Sequence, residues 1–264
     1  MSETVRIMWI NPLGYYAYDE QLAEYITTIK SQHSVVDVVS FDIRNASDHL
    51  EYRTYEALTV GDTVRAARQA AVEGYDGVVV GCFYDPGLED AREISGEAVV
   101  VGSCQPSVQI AANLCNRFSV IVGRDKWIDQ MTERVRTYGY EHKLASMRSI
   151  DIPVPQLRDD PELTIRRTMD AGRRAIDEDG AEALILGCAT NFGFFNRVQD
   201  ELGVPVIDPV CASLKMVESL AQMKKQFGWS PSRVGSCEPP PESEIERFGL
   251  FQDRNPIGSK FTAE

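Results

Sequence analysis

The sequence lacks the marks of several large protein classes. It has no run of 18 consecutive apolar residues, which argues against a transmembrane helix. Its start, MSETVRIMWINPLGYY, does not join a basic stretch to a long apolar one, so we expect a cytoplasmic protein. Basic residues are few, with 27 Lys and Arg against 40 Asp and Glu. The resulting formal charge of −13 argues against a nucleic-acid partner.

Motifs for nucleotides and metals are also missing. Neither G-x-G-x-x-G nor G-x-x-x-x-G-K-[ST] occurs, so we expect no nucleotide cofactor. No C-x-x-C pair occurs among the six cysteines, and a chain of 264 residues is not a small disulfide-rich scaffold. We therefore expect no metal site and no disulfide framework.

Short β-rich runs alternate with longer amphipathic ones along the first half of the chain. The order is VRIMWI, QLAEYITTIKSQ, VVDVVSF, TVRAARQAAVEG and VVVG. This alternation predicts an α/β fold with a mainly parallel sheet and helices on its faces.

The second half repeats the first. EGYDGVVVGC (73–82) aligns without a gap over DGAEALILGC (179–188), and the same offset of 106 residues places Val100–Val101 on Val206–Ile207. We predict two pseudo-symmetric Rossmann-like lobes with the active site in the cleft between them. The first lobe is 1–105 plus 212–264, with a C-terminal helix and tail, and the second is 106–211.

A Gly-Cys pair ends the equivalent buried strand in each half, placing Cys82 and Cys188 at repeat-related positions. Ligands of open α/β sheets bind at the carboxyl ends of strands. A single free cysteine is often only a small core residue, but a core role does not explain two thiols at equivalent strand ends. Backbone amides after each cysteine can hold an anion and stabilise a thiolate, whose ordinary pKa is about 8.5.

Two facing thiols can remove a proton from one side of a carbon acid and return one from the other side. This inverts the stereocentre without a cofactor, provided that donors hold the developing enolate. A Cys-His hydrolase is an alternative, but none of the three histidines lies near a strand-end cysteine in the sequence.

These residues resemble the Asp/Glu/hydantoin racemase superfamily, and most closely its hydantoin racemase branch. The resemblance is carried by GCFYDPGLEDARE, GAEALILGCA and LGVPVIDPVCASLKMVE, and it extends from Ile7 to about Leu220. It implies a cofactor-independent racemase with two α/β lobes, in which Cys82 and Cys188 are the catalytic acid/base residues.

The resemblance also implies a set of substrate-binding residues, which are Asn11, Leu50, Gly81, Phe83, Gln105, Gly187, Ala189 and Thr190. Departures from the family pattern cluster among them. Leu13-Gly14 replace an Asn-Thr pair after Asn11, Gln105 replaces an acid, and CATNFGFFNR replaces Cys-Ala-Gly-Met. The phenylalanines of that last segment either line an apolar pocket or belong to the core.

Together these observations predict a racemase or epimerase that acts on a 5-substituted hydantoin or a related cyclic ureide such as allantoin. The alternatives are an aspartate/glutamate-type racemase, a cis–trans isomerase of the same superfamily, and a non-catalytic small-molecule-binding protein on this fold. We expect a small-molecule substrate, a homo-oligomer, and no nucleic-acid or membrane partner.

Overall fold

The fold is that of a computed structural model, which describes residues 4–251 and 255–264. The chain forms two compact α/β units, so the prediction of an α/β protein with two lobes is confirmed. One unit comprises Met1–Val80, Pro86–Val101 and Leu214–Glu264, and the other comprises Gly81–Asp85 and Gly102–Ser213. The lobe boundaries expected from the sequence stay a prediction.

The first unit is built on a five-stranded sheet with the strand order β4-β3-β1-β2-β9. Its first four strands are parallel, and β9 runs antiparallel to β2. Runs such as Gly77–Val80 are buried along their whole length, as expected for parallel strands covered on both faces. The strands are β1 Val5–Asn11, β2 Ser34–Phe41, β3 Gly77–Val80, β4 Val99–Val101 and β9 Ile257–Ala263.

Helices cover this sheet with small apolar side chains. In α2 the buried residues include Ala66, Ala67 and Ala70, whose spacing of three and four residues places them on one helix face. The helices of this unit are α1 Asp19–Ile29, α2 Arg53–Val72, α3 Leu88–Ile94 and α9 Glu242–Phe248. Helix α8, Pro209–Phe227, begins in the second unit and ends in the first.

The second unit is built on a four-stranded parallel sheet with the order β6-β5-β7-β8. Its helix α6 begins where Asp160 Oδ1 accepts a hydrogen bond of 3.0 Å from Leu163 N, and it ends at Gly180 in the left-handed conformation. The strands are β5 Phe118–Val122, β6 Leu144–Ser149, β7 Ala183–Leu186 and β8 Val206–Ile207. The helices are α4 Cys104–Leu114, α5 Ile128–Thr137, α6 Pro161–Asp179 and α7 Phe195–Leu202.

The two sheets confirm the internal repeat. The order β4-β3-β1-β2 in the first unit corresponds to β8-β7-β5-β6 in the second. Gly77–Val80 and Ala183–Leu186 are central strands of equal length, related by the 106-residue offset that the sequence predicted. The carboxyl ends of these two strands lead directly to the two cysteines.

The C-terminal tail adds a strand that the sequence analysis did not predict. β9 pairs with β2, and its residues alternate between exposed and covered, as on a sheet edge. Thr262 Oγ1 donates a hydrogen bond of 2.6 Å to Asp37 Oδ1, and Lys260 Nζ lies 2.9 Å from Asp37 Oδ2. Polar side chains therefore help to set the position of this strand.

Short turns of 3-10 helix connect the larger elements. They comprise Asp125–Trp127, Glu141–Lys143, Val154–Gln156, Ala189–Asn191 and Gly235–Cys237. No described helix is both long and apolar enough to cross a membrane. The described residues also contain no cluster of three or more His, Cys, Asp or Glu side chains arranged to bind a metal ion.

Candidate active site

Both candidate cysteines stand just beyond a short buried strand. Cys82 lies two residues after the end of β3, and Cys188 lies two residues after the end of β7. Within the described residues neither forms a disulfide bond; both are half-buried, and both belong to the second unit. Each cysteine is therefore held at a strand end and is only partly buried.

The backbone after each cysteine forms the same turn. Asp85 N donates a hydrogen bond of 2.9 Å to Cys82 O, and Asn191 N donates one of 3.1 Å to Cys188 O. Asp85 and Asn191 are separated by the same 106 residues as the cysteines. The repeat therefore extends from the strands into the loops that carry the thiols.

Asp85 anchors the first loop to the start of α4. The residue has a φ of 50°, which is uncommon for a residue other than glycine, and it is 0% exposed. Its carboxylate accepts hydrogen bonds from Ser103 N (2.5 Å), Cys104 N (2.9 Å) and Gln105 N (3.1 Å). The first amides of an α-helix lack the backbone acceptor that later amides have, so Asp85 caps α4 from a separate chain segment.

Tyr138 completes the environment of Asp85. Its hydroxyl donates a hydrogen bond of 2.7 Å to Asp85 Oδ2. Burial raises the pKa of Asp85, while the hydrogen bonds from Tyr138 and the three amides act to lower it. Gly102 leaves room for the carboxylate, because a Cβ at that position would lie 2.3 Å from Asp85 Cγ. The site therefore depends on a glycine facing the acid.

Cys104 is a third thiol close to these groups, and its environment suits a neutral residue. It is 0% exposed, and burial, followed by the charge of Asp85, raises its pKa well above the ordinary value. A thiol in these surroundings keeps its proton at neutral pH and packs as a small core residue. These surroundings favour a packing role for Cys104 over that of a base.

Arg158 supports the second loop. Its Nη1 donates hydrogen bonds to Thr190 O (2.8 Å) and Phe192 O (3.4 Å), and its guanidinium carbon lies 4.1 Å from the centre of the Phe192 ring. Phe194 contacts the same guanidinium at 5.3 Å. Phe192 is 6% exposed, which places it with the core rather than on an open apolar surface.

A second buried acid, Asp208, ties the second loop to the end of β8. Its Oδ2 accepts a hydrogen bond of 2.8 Å from Gly193 N, and its Oδ1 accepts one of 2.8 Å from Val210 N. Asn191 lies in the same loop and is 4% exposed. Within the described part of the chain its Oδ1 has no hydrogen-bond partner.

The predicted site residues divide between the units. Asn11 and Leu50 belong to the first unit, and both are buried. The second unit contains both cysteines together with Gly81, Phe83, Gln105, Gly187, Ala189 and Thr190. Phe83 is 2% exposed and packs in the core. Gly187 has a packing reason of its own, because a Cβ there would lie 2.9 Å from Ile121 O.

Asn11 is held by a buried polar cluster of the first unit. Its Nδ2 donates to Asp19 Oδ1 (3.1 Å) and Ser40 Oγ (3.0 Å), and Ser40 Oγ donates to Asp19 Oδ1 (2.8 Å). Both hydrogens of the amide nitrogen are therefore used inside the protein. The group that Asn11 can still offer is its Oδ1, an acceptor.

Sequence reasoning did not identify Asp85, Tyr138, Arg158, Asn191 or Asp208 as site residues. A local signal existed for Asp85, because it precedes Pro86-Gly87 within the motif around Cys82. Tyr138 and Arg158 reach the loops from 53 and 32 residues away along the chain. No local pattern predicts such contacts.

This architecture defines a class of protein: a duplicated α/β fold with one thiol after the equivalent strand of each half. The family model of the Asp/Glu/hydantoin racemases matches residues 7–217. The hydantoin racemase of Rhizobium meliloti is 35% identical over 232 residues, which cover 88% of this chain and 93% of the relative. The hydantoin racemase of Pseudomonas sp. (strain NS671) is 31% identical and covers 94% of this chain and 98% of its own length.

Among solved structures, the allantoin racemase from Klebsiella pneumoniae superimposes with a TM-score of 0.83 at 29% identity, covering 90% of this chain and 94% of its own. The chain belongs to the Asp/Glu/hydantoin racemase family. Its enzyme class is accordingly isomerase, of the racemase type, and the resemblance noted from the motifs is confirmed.

Proposed function

We propose that the chain is a cofactor-independent racemase or epimerase that inverts C5 of a 5-substituted hydantoin or a related cyclic ureide. Cys82 and Cys188 are the acid/base pair. The observation that carries the proposal is the pair of half-buried thiols at repeat-equivalent strand ends, each opening the same backbone turn. The substrates named for the hydantoin and allantoin racemases above support the choice of a ureide ring.

The proposed reaction moves two protons. A thiolate takes the C5 proton and becomes a thiol, while the electron pair of the C–H bond moves into an enolate at the neighbouring ring carbonyl. The opposite thiol then gives its proton to the other face of C5 and becomes a thiolate. The carbon is inverted, and the two cysteines have exchanged protonation states.

The C5 proton must be acidic enough for a thiolate to remove it, and this acidity depends on how well the enolate is stabilised. The enolate is stabilised by donors aimed at its oxygen, which is the main contribution that a protein makes to such a step. Amide groups of the two cysteine loops are the candidate donors. The reducing cytoplasm, which is the location expected from the sequence, keeps cysteines in the thiol form that this reaction needs.

The test is deuterium incorporation at C5 of single-enantiomer 5-substituted hydantoins and allantoin in D2O, followed by NMR and polarimetry after subtraction of the spontaneous rate. Cys82→Ser and Cys188→Ser each remove one acid/base group, and Cys237→Ser removes an exposed thiol as a matched control. We expect both site variants to lose racemisation while the control keeps it.

The single variants also separate proton exchange at C5 from inversion of C5. A protein with one thiol left can exchange the C5 proton of the enantiomer that faces this thiol without inverting it. We therefore expect Cys82→Ser and Cys188→Ser to exchange opposite enantiomers. Full racemisation by either variant contradicts the two-thiol mechanism, and absence of exchange by the wild type contradicts the substrate class.

A further inference from the structure

Two buried carboxylates lie next to the cysteine loops, and the proposed proton transfer uses neither. Asp85 is 0% exposed and Asp208 is 2% exposed. We propose that both carboxylates are internal acceptors that occupy the amide groups beside the loops, so that the substrate carries no negative charge where it meets these groups. This inference rests on the proposed function and narrows its substrate class to rings without an anionic substituent there.

The two carboxylates accept hydrogen bonds from amides at equivalent positions of the repeat. Cys104 N donates a hydrogen bond of 2.9 Å to Asp85 Oδ1, and Val210 N donates one of 2.8 Å to Asp208 Oδ1. Cys104 and Val210 are 106 residues apart, as Cys82 and Cys188 are. Each half therefore places a carboxylate on the equivalent backbone donor.

The carboxylates nevertheless come from different positions of the repeat. The residue equivalent to Asp85 in the second half is Asn191, and the residue equivalent to Asp208 in the first half is Gly102. A side chain at Gly102 would collide with Asp85, so the first half has no room for an acid at both positions. A carboxylate thus binds the equivalent amide in both halves, although it comes from a different repeat position in each. This indicates that an acceptor on this amide is needed in both halves.

Filled amides change what the loops can bind. Free amides at the start of a helix attract anions, and Asp85 takes three of them at the 11-residue helix α4. A substrate carboxylate would have to displace this buried anion or lie beside it, and like charges repel strongly away from water. A ureide ring offers carbonyl and N–H groups without that repulsion. The arrangement therefore disfavours aspartate and glutamate.

The first test compares two substrates that differ by one charge. Hydantoin-5-acetamide and hydantoin-5-acetate have nearly the same shape, and exchange at C5 in D2O reports on both. With the wild-type protein we expect kcat/KM for the amide to exceed that for the carboxylate by about tenfold or more. Equal values would overturn the inference. Loss of exchange with every hydantoin would instead contradict the proposed function.

The second test removes the carboxylate that accepts from the amides of Ser103, Cys104 and Gln105. Asp85→Gly removes the carboxylate and tolerates the φ of 50°. We expect formate to restore part of the lost kcat and to raise the melting temperature of this variant, and sodium chloride at equal ionic strength to do neither. Asp90→Asn, at an exposed acid of α3, is the matched control and should not respond to formate.

The melting-temperature measurement needs no turnover, so it tests whether Asp85 occupies these amides even if the substrate is another molecule. Formate that stabilises the wild type as much as Asp85→Gly would show that the amides are not filled and would overturn the inference. If Asp85→Gly does not fold, the inference is tested by the wild-type protein alone, through its kcat/KM values for the charged and the uncharged substrate.

Discussion

The hydroxyl of Tyr138 donates a hydrogen bond of 2.7 Å to Oδ2 of Asp85, which lies 53 residues earlier in the chain. Asp85 also closes the turn that begins at Cys82 and caps α4. The position of the first thiol is therefore fixed by two helices as well as by its own strand. A rigid support of this kind is what an acid/base group needs in order to meet a substrate in one geometry.

Removal of the Tyr138 hydroxyl tests this support. Tyr138→Phe leaves a buried carboxylate with one donor fewer, and we expect the free energy of unfolding to fall by about 1.5–3 kcal/mol, as for hydrogen bonds to charged groups. Urea denaturation measures the change. Tyr140→Phe, at another half-buried tyrosine, should change stability by less than about 0.5 kcal/mol. Equal effects of the two substitutions would contradict the prediction.

Two glycine substitutions should have opposite effects. Gly102→Ala places a Cβ 2.3 Å from the carboxyl carbon of Asp85, and we expect it to destabilise the protein by about 1–3 kcal/mol through overpacking. Gly61→Ala lies in the middle of α2 and meets only the flexible end of Arg65, so we expect it to stabilise by about 0.5–1 kcal/mol. Thermal and urea unfolding of both variants check the signs.

Local sequence patterns predicted the strands whose formation depends mainly on neighbouring residues. The valine run before Cys82 and its counterpart before Cys188 read as buried strands, and their alignment revealed the repeat and the two thiols. Contacts that join distant segments carry no such pattern. Arg158 meets Thr190 across 32 residues, and β9 meets β2 across most of the chain because short alternation after a proline-rich stretch is a weak strand signal.

The pairing of β9 with β2 should make stability depend on pH through Asp37. Burial acts to raise the pKa of this carboxyl, but hydrogen bonds from Thr262, Tyr75 and Lys260 outweigh it, so the pKa lies below its ordinary value. A group whose pKa is lower in the folded state stabilises the protein above the unfolded pKa of about 3.9. This contribution is lost as the pH falls through the folded pKa.

Asp37→Asn should therefore lower the free energy of unfolding by about 1–2 kcal/mol at pH 7. The difference from the wild type should shrink as the pH falls below about 4, because the wild-type carboxylate then takes up a proton. Urea unfolding at a series of pH values measures this difference. Asp90→Asn, at an exposed acid, should show neither effect. A difference that is constant with pH would argue against the ionised Asp37 as its source.

The support of the second thiol depends on the planar guanidinium of Arg158. This group donates to Thr190 O at 2.8 Å and stacks on Phe192, and a lysine cannot do both. Because Thr190 follows Cys188 by two residues, Arg158→Lys should loosen the loop and lower the kcat of racemisation by about tenfold, with a smaller change in KM. Arg166→Lys, at an exposed position of α6, is the matched control.

A second measurement on the same variants does not need the substrate. The rate at which iodoacetamide alkylates Cys188, followed by peptide mass spectrometry, reports how the loop holds this thiol. We expect Arg158→Lys to change that rate and to leave the alkylation of the exposed Cys237 as it is in the wild type. Unchanged kcat together with unchanged alkylation would show that the hydrogen bond to Thr190 does not position the second cysteine.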